Sequence, residues 1–490
     1  MKANPQIGDS YYQEFFLGVA EDEAEVISLN ESISIDFGDF DNVLKTREFT
    51  QLEPDVFEFK YDAPGIGQIL AEEDITEEGG EPGLSSVLVG ISNLANITFP
   101  ALSTTTFEDS ATINNPYFTL TPGTLSIYEE DSDSESGEIE RHEVLVTDDT
   151  RDILGISSRV VRDREFDNDL LTDEKLSYYA QDSLGNVWLL GETVTEYEYD
   201  EAGNVIDTDD SESWLAGEGQ SLPGLIMAAN PETGTAYYQR FDIGEAENQA
   251  EVVESEVSLT VDGDNFEDVI KIKEFSALDP EEFDFKYYAS GVGLVFEEEI
   301  EEDQLASTSE LDDTYKVLES YTVDFETTAA GDKLLAGTII TNQYDSFSGL
   351  TISTPRDEFG AMIFDSANPT GGDFDLATED QGNVLIISED GDSSDPDDKA
   401  GGGTIRFQWS DDVLVKSIGL LGIDRSGGSI TAFDDDGDLL RTVAIPDLGD
   451  NSLGQVDINT AEVAYLDVNF FNGGAITEVS FNSLSEVELV

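Results

Sequence analysis

At 490 residues the chain is too long for one hydrophobic core and should divide into two or three domains. It carries 109 Asp and Glu against 22 Lys and Arg, a net charge of −87, which excludes nucleic acid as a partner because phosphate binding needs a basic patch. The absence of cysteine excludes disulfides, thiolate metal sites and cysteine catalysis.

The first element in the chain is half of a repeat. Residues 3–72 (ANPQIGDSYYQEFFLGVAEDEAEV, then FDNVLKTREFTQLEPDVFEFKYDAPGIGQILAEE) align without a gap on residues 229–298 (ANPETGTAYYQRFDIGEAENQAEV, then FEDVIKIKEFSALDPEEFDFKYYASGVGLVFEE). Roughly 30 of about 70 positions are identical. The second copy is preceded by a long strand-rich stretch and the first only by Met1 and Lys2, so the first copy is expected to lack its front half. The opening MKANPQIGDSYY has no apolar core of a signal peptide, and an export signal is expected to have gone with the missing portion.

Residues 76–98 follow as an acidic, Gly-rich linker. A complete repeat domain is expected over 99–302. Its runs HEVLVTDD, RVVRD, NVWLLGETVTEYEYD, TAYYQRFDI, DVIKIKEFS and FDFKYYA are β-branched or aromatic and partly alternating, which reads as strands. Gly185-Asn186 and Gly203-Asn204 mark hairpin tips. Helical periodicity is weak, with short candidates at 168–176 and 89–96. Residues 303–320 read as a second acidic connector, part of which would finish the sheet. From 321 to 490 Gly, Asp, Ser and Ile rise and Tyr falls, the mark of a different β-domain.

The segments INNPYFTLTPGTLSIYE, YYAQDSLGNVWLLGE, SWLAGEGQSLPGLIMAANPETGTAYYQ and FKYYASGVGLVFEE resemble a family of uncharacterised bacterial secreted domains, with N-P-Y-x-x-L-x-P-G at the start and Y-Y-A-x-G-V-G-L-V at the end. The resemblance implies a strongly curved antiparallel sheet, similar to the half-barrels that carry lipoproteins, and no activity. Residues 321–482 resemble jelly-roll domains of exported bacterial proteins of the PEP-CTERM type, although the chain ends in SEVELV without that tail. That resemblance implies a β-sandwich akin to carbohydrate-binding modules. The expected fold is therefore all-β: a repeated half-barrel-like sheet and a C-terminal jelly-roll sandwich.

Motifs for chemistry are sparse. With so many carboxylates, a pair at glycosidase spacing is inevitable and carries no information. The lone His142 cannot complete a triad, since no G-x-S-x-G occurs. No phosphate-binding or dinucleotide loop is present. A non-enzymatic protein is expected.

Calcium, which takes six to eight oxygen ligands, is the expected cofactor. The loop EDGDSSDPDD places Asp390, Asp392, Asp395 and Asp397, with Glu389 and Asp398, between the strands NVLIIS and GGTIRF. The jelly-roll resemblance implies a second calcium set, Asp324 and Glu326 with Asp467, completed by Asp373 and Asp375. The tip FDDDGDLL (Asp434, Asp435, Asp436 and Asp438) reads as a hairpin.

Charge this high is tolerable where salt shortens the screening length. That fits an extracellular or cell-surface protein in a saline medium, favoured by the resemblances, or the cytoplasm of a salt-accumulating organism. No apolar run is long enough to insert into a membrane. The leading expectation is a calcium-stabilised structural or adhesion protein. The alternatives are a glycan-binding module offering Trp409, Tyr344 and Phe347, or a carrier of an apolar ligand in the half-barrel; Trp188, Trp214, Tyr178, Tyr179, Tyr197 and Tyr199 read first as core packing and, in that alternative, as the lining of its concave side. An extracellular glycan or another copy of the chain is the expected partner.

Overall fold

The computed structural model describes residues 5–487 apart from 17–19, 36–37, 53–55, 77–79, 81, 89–96, 99, 133–138, 168–169, 201–204, 303 and 380. Two compact units result, Met1–Ala95 and Asn96–Val490. The described residues contain strands and short 3-10 turns but no α-helix, so the all-β expectation holds. The helix expected over 168–176 is instead a strand, Leu170–Gln181, because pairing on both sides overrides its Leu/Glu/Lys composition. The candidate helix at 89–96 and the tip at Gly203-Asn204 lie outside the described residues.

The N-terminal unit is one antiparallel sheet in sequential order, β1 (Ser10–Phe16), β2 (Ala20–Ile35), β3 (Gly38–Thr50), β4 (Phe57–Ala63), β5 (Gly67–Ile75) and β6 (Leu84–Val87). One face carries a small core of Val43, Tyr61, Ala63 and Ile69, with Ile33, Phe40, Phe59 and Leu70 packed against it.

The larger unit begins with a ring. Its strands are β7 (Thr124–Ser132), β8 (Ile139–Ile153), β9 (Ile156–Asp167), β10 (Leu170–Gln181), β11 (Val187–Tyr199) and β12 (Leu222–Met227). They continue as β13 (Ala236–Asp242), β14 (Ala246–Val261), β15 (Asp264–Ser276), β16 (Glu282–Ala289), β17 (Gly293–Glu301) and β18 (Gln304–Val323). Each pairs antiparallel with the next, and β18 returns to β7 through Thr124↔Lys316 to Ser132↔Ser307. The half-barrel-like sheet expected over 99–302 is instead a closed ring, completed by β18. Closure removes the sheet edges that an open half would expose.

The repeat holds at the level of hydrogen-bond register. Ser10↔Glu25 through Phe16↔Ala20 in β1–β2 recurs as Ala236↔Glu251 through Asp242↔Ala246 in β13–β14, with a bulge at Tyr12/Glu14 and again at Tyr238/Arg240. The next pair repeats the shifts at Val26/Ser28 and Val252/Glu254. The following strand carries a left-handed residue in both copies, Asn42 at φ +58° and Asp268 at φ +57°. A bulge needs an irregular backbone at a fixed place, so its recurrence shows that local sequence sets the register.

The expected connector at 303–320 is not a linker. Residues 304–320 lie within β18, whose first part closes the barrel and whose second part pairs with the C-terminal strand Ala475–Glu486 of the sandwich, through Tyr315↔Glu486 to Val323↔Val479. Its acids and hydroxyls resemble a linker in composition, but they alternate with inward Leu311 and Tyr315.

The sandwich comprises β19 (Ala361–Asp365), β20 (Asn383–Ile387), β21 (Gly403–Leu421), β22 (Gly428–Phe433), β23 (Leu439–Ile445), β24 (Leu453–Phe470) and β25 (Ala475–Glu486). These close over an apolar core that includes Phe325, Ile363, Phe407, Trp409, Val415, Leu466 and Phe481. Buried ion pairs fasten barrel to sandwich. Arg141 reaches Glu143 at 2.5 Å and Glu462 at 2.6 Å, the Ala461 amide donates to Glu143 at 3.0 Å, and Arg164 donates to the Asn459 carbonyl at 2.7 Å.

Candidate functional site

A ring of twelve strands is wider than the eight that side chains alone can fill. The barrel accordingly encloses a cavity of about 540 Å3. Inward positions are alternate residues along each strand. They bring Glu130, Asp163, Glu192 and Glu274 to the lumen with Asp284, Glu297 and Glu299, and set Lys175, Arg240, Lys286 and His142 among them.

These charges are organised in two groups. In the first, His142 lies 3.6 Å from Glu130 and 3.7 Å from Asp163, and Lys175 lies 3.8 Å from Asp163. Burial works against an imidazolium here, but hydrogen bonding to Asp163 and Glu130 overrides it and pushes the His142 pKa up to about 10. The sole histidine is therefore a fixed cation at neutral pH. In the second group, Lys286 stands 3.2 Å from Glu274 and 3.3 Å from Glu297, and Gln239 donates to Glu274. Burial, with Glu297, Glu274 and Glu299 close by and only partly offset by Lys286, pushes the Asp284 carboxyl up to about 7. Between the groups, Glu192 accepts from the Trp214 indole at 2.8 Å and from Ser177 at 3.3 Å, and Glu299 accepts from Ser307 at 2.8 Å.

Such a lumen suits a small hydrophilic or cationic solute. The charges share the lumen with Phe118, Leu120, Val144, Leu189, Ile226 and Leu294, so an apolar ligand would meet hydrocarbon on part of the wall and carry a desolvation cost on the rest. The six aromatics read first as core packing, and otherwise as a concave lining, divide. Trp188, Trp214 and Tyr178 are core residues, Tyr179 alone of the six lines the lumen, and Tyr197 and Tyr199 line a second cavity of about 410 Å3 beside Arg164 and Arg441. The glycan platform expected on the sandwich does not form, because Trp409 and Tyr344 are buried and Phe347 packs against the same core.

The residues expected to bind calcium are placed as follows. Asp390 and Asp392 stay in the exposed loop between β20 and β21, where Asp390 accepts from the Asp392 amide at 2.8 Å and Asp392 from the Ser394 amide at 2.9 Å. Asp395 accepts from the Gly371 amide at 2.9 Å, joining this loop to the segment that holds Asp373. Asp397 has one buried oxygen without a partner. Beside it, Asp373 accepts from the Asp398 amide at 2.9 Å, and burial together with Asp373 pushes the Asp398 carboxyl up to about 7. The other expected set is not assembled. Asp324 caps the Glu326 amide at 3.1 Å, Glu326 accepts from the Asn383 amide at 2.7 Å, and both oxygens of Asp467 are held by Arg406 at 2.7 Å. A guanidinium that occupies the fork of a carboxylate leaves no room for a cation. Among the described residues, three carboxylates converge within 4.8 Å only at Asp312, Asp313 and Glu462, beside Arg141 at the seam between barrel and sandwich. The tip at Asp434 is the hairpin expected, its carboxylate accepting from the Gly437 and Asp438 amides at 2.8 and 2.7 Å.

The lumen charges were not singled out in the sequence, yet a signal for them exists. Gln13, Glu48 and Lys60 recur as Gln239, Glu274 and Lys286, polar residues kept at alternating positions that composition alone would place on a surface.

No family model matches the chain, and no curated protein matches it. Among solved structures, a candidate lipoprotein from Parabacteroides distasonis aligns with 41% of this chain and 98% of its own at 14% identity and a TM-score of 0.24. A candidate exported protein with a YmcC-like fold from Bacteroides fragilis aligns with 40% of this chain and 98% of its own at 13% identity and a TM-score of 0.23. A glycoside hydrolase aligns with 75% of this chain and 100% of its own at 10% identity and a TM-score of 0.16. Likenesses so distant say nothing about activity. No helix among the described residues is long and apolar enough to cross a membrane.

Proposed function

We propose that this chain is a non-enzymatic extracellular or cell-surface structural protein, a stiff acidic body of β-modules that serves in adhesion or matrix building and is stabilised by calcium. The observation that carries the reading is the strand Gln304–Val323, which belongs to barrel and sandwich at once and leaves no flexible joint between them. The seam is further held by Arg141, Glu143 and Glu462. A surface at −87 suits a saline medium in which screening acts over a few Å. The acidic loops that meet at Asp373, Asp395 and Asp397 supply oxygen ligands of the kind calcium takes. Calorimetric titration of the full chain in 0.5 M NaCl tests the calcium part. Saturable heat at about 10⁻⁴–10⁻³ M calcium, with a rise in melting temperature, is expected. Stability that follows ionic strength alone would leave only salt adaptation.

A second reading has its own support in the lumen. A cavity of about 540 Å3 with convergent polar groups is of ligand size. Carboxylates outnumber cations there, so the class favoured is a small organic cation or polyol. Thermal shift against panels of amines, amino acids and sugars checks it. A Lys286→Ala change should alter any hit, whereas lipid co-purifying with the protein would contradict the polar assignment.

A further inference from the structure

The cavity of about 410 Å3 lies in the seam between barrel and sandwich and shares no lining residue with the lumen. The barrel walls it with Arg164, Leu171, Tyr197 and Tyr199, and the sandwich with Arg441, Val443 and Asn459. The exposed Val205 belongs to the same lining. In a chain of 109 Asp and Glu against 22 Lys and Arg, a cation without an acidic partner is unusual, yet cations gather here unpaired. Of the carboxylates in the wall, Glu174 is held by Arg164 at 2.5 Å and Asp457 accepts from the Gln455 side chain at 2.7 Å. Among the described residues the arginine ion pairs belong to Arg141, Arg164 and Arg406, and Arg441 has none. One of its five N–H groups goes to the Ile458 carbonyl, and its guanidinium lies 5.3 Å from the Phe166 ring centre. Arg162, two positions before Arg164 on the same outer face of β9, has a buried Nε without a partner. Burial, then the charge of Arg164, brings the Arg162 pKa down to about 10 and lowers that of Arg441. Like charges drawn together out of water cost free energy, which a bound anion would offset.

We propose that the seam cavity binds a small organic anion, a single carboxylate carried on a six-membered ring. The carboxylate matches the planar fork of Arg441, whose remaining N–H groups supply paired donors. The ring meets Tyr197 and Tyr199 with Leu171 and Val443, and Thr442 and Asn459 add groups that hydrogen-bond to ring substituents. The volume is of ligand size. One charge, rather than several, follows from the surroundings, because the field of a chain at −87 repels a polyanion more strongly than a monoanion. Two sources share this chemistry, a uronic acid and an aromatic acid, and they differ in whether the ring offers hydroxyls or a π face. This site stands apart from the structural role proposed above and does not depend on calcium.

Calorimetric titration of the full chain in 0.5 M NaCl with glucuronate, galacturonate and benzoate, and with sulfate alongside, tests the site. Saturable heat from a ring carboxylate, with a rise in melting temperature, is expected, and the preferred ring names the source. Arg441→Gln should weaken that binding by at least about tenfold. Because Arg441 also reaches the Ile458 carbonyl across its own sandwich sheet, a second variant keeps the seam intact. Val205 is exposed, so Val205→Asp should leave the melting temperature of the unliganded chain unchanged and weaken binding about threefold, and Val205→Lys should strengthen it by a similar factor. No saturable heat from any of the three ring carboxylates overturns the proposal. Sulfate binding as tightly as they do would reduce the site to an unselective anion contact and overturn it as well. Binding that survives both Arg441→Gln and Val205→Asp would place the anion elsewhere and do the same.

Discussion

The N-terminal sheet and the back half of the barrel are one sequence pattern in two settings. Strand order, bulges and the Gln-Glu-Lys set agree, yet one sheet pairs at its edges with six further strands and, among the described residues, the other does not. Register and local polar contacts are thus written into each half, while enclosure depends on what lies opposite. The same ion pair should then have a different energetic weight in the two places, since an enclosed charge loses more when its partner is removed than one facing bulk water.

The sharpest way to break this comparison is to remove the shared lysine from each copy. Lys286→Ala strands Glu274 and Glu297 inside the lumen and should destabilise the larger unit by about 3 kcal/mol. Lys60→Ala removes a partner from the buried Glu48 but strands only that one carboxylate in a sheet of six strands, and should cost less, about 1–2 kcal/mol. Urea unfolding resolves the two: tryptophan fluorescence follows the larger unit, which holds Trp188, Trp214 and Trp409, and circular dichroism follows the N-terminal sheet. Equal losses would show that ring closure adds nothing to the pair.

The front half offers a test with no counterpart in the N-terminal sheet. His142→Gln should cost about 2 kcal/mol at pH 7 by leaving Glu130 and Asp163 less compensated. Its pKa is raised from 6.5 to about 10 on folding, so the stabilisation is complete below the unfolded value and disappears as pH rises through about 10. Thermal melts of wild type and variant should converge above that pH.

Asp284 gives an effect of opposite sign. Its carboxyl is raised from 3.8 to about 7, so the folded chain holds a proton that the unfolded chain has released, and stability falls as pH climbs from about 4 to about 7. Asp284→Asn should leave the melting temperature unchanged near pH 4 and stabilise by about 1–2 kcal/mol at pH 8. A variant that stabilises equally at both pH values would locate the effect in packing.

The smallest effect should be identical in the two copies. Gly65 and Gly291 turn the same hairpin at φ +81° and +84°, with open space where a Cβ would go. Replacement of either by Ala should cost about 1 kcal/mol through backbone strain alone. Unequal costs, read by circular dichroism for Gly65→Ala and tryptophan fluorescence for Gly291→Ala, would mean that enclosure reaches even the turns.

What the sequence discloses follows the same division between local and enclosed. Strands at TAYYQRFDI and FDFKYYA, the tip at Gly185-Asn186 and the repeat itself are legible because alternation and turn chemistry act within a few residues. Ring closure is not, because Thr124 and Lys316 carry no mark of each other. The lumen acids are lost among 109 carboxylates: Glu274 and Glu299 recur as Glu48 and Glu73, but Glu297 falls on Ala71, and Glu130, Asp163 and Glu192 have no counterpart in the first copy. Asp467 illustrates the converse. It was placed in a cation site through resemblance, and Arg406, sixty-one residues earlier on a neighbouring strand, claims both of its oxygens.

The strand that closes the barrel also has a consequence for biogenesis. Thr124–Ser132 must wait for Ser307–Lys316 before the ring can shut, and the rest of that strand must then find Val479–Glu486 near the far end of the chain. Contacts so distant in sequence make assembly slow. Throughout that interval a long row of unpaired amide and carbonyl groups is open to other nascent chains. Self-repulsion at −87 opposes the meeting of such edges on two half-built molecules.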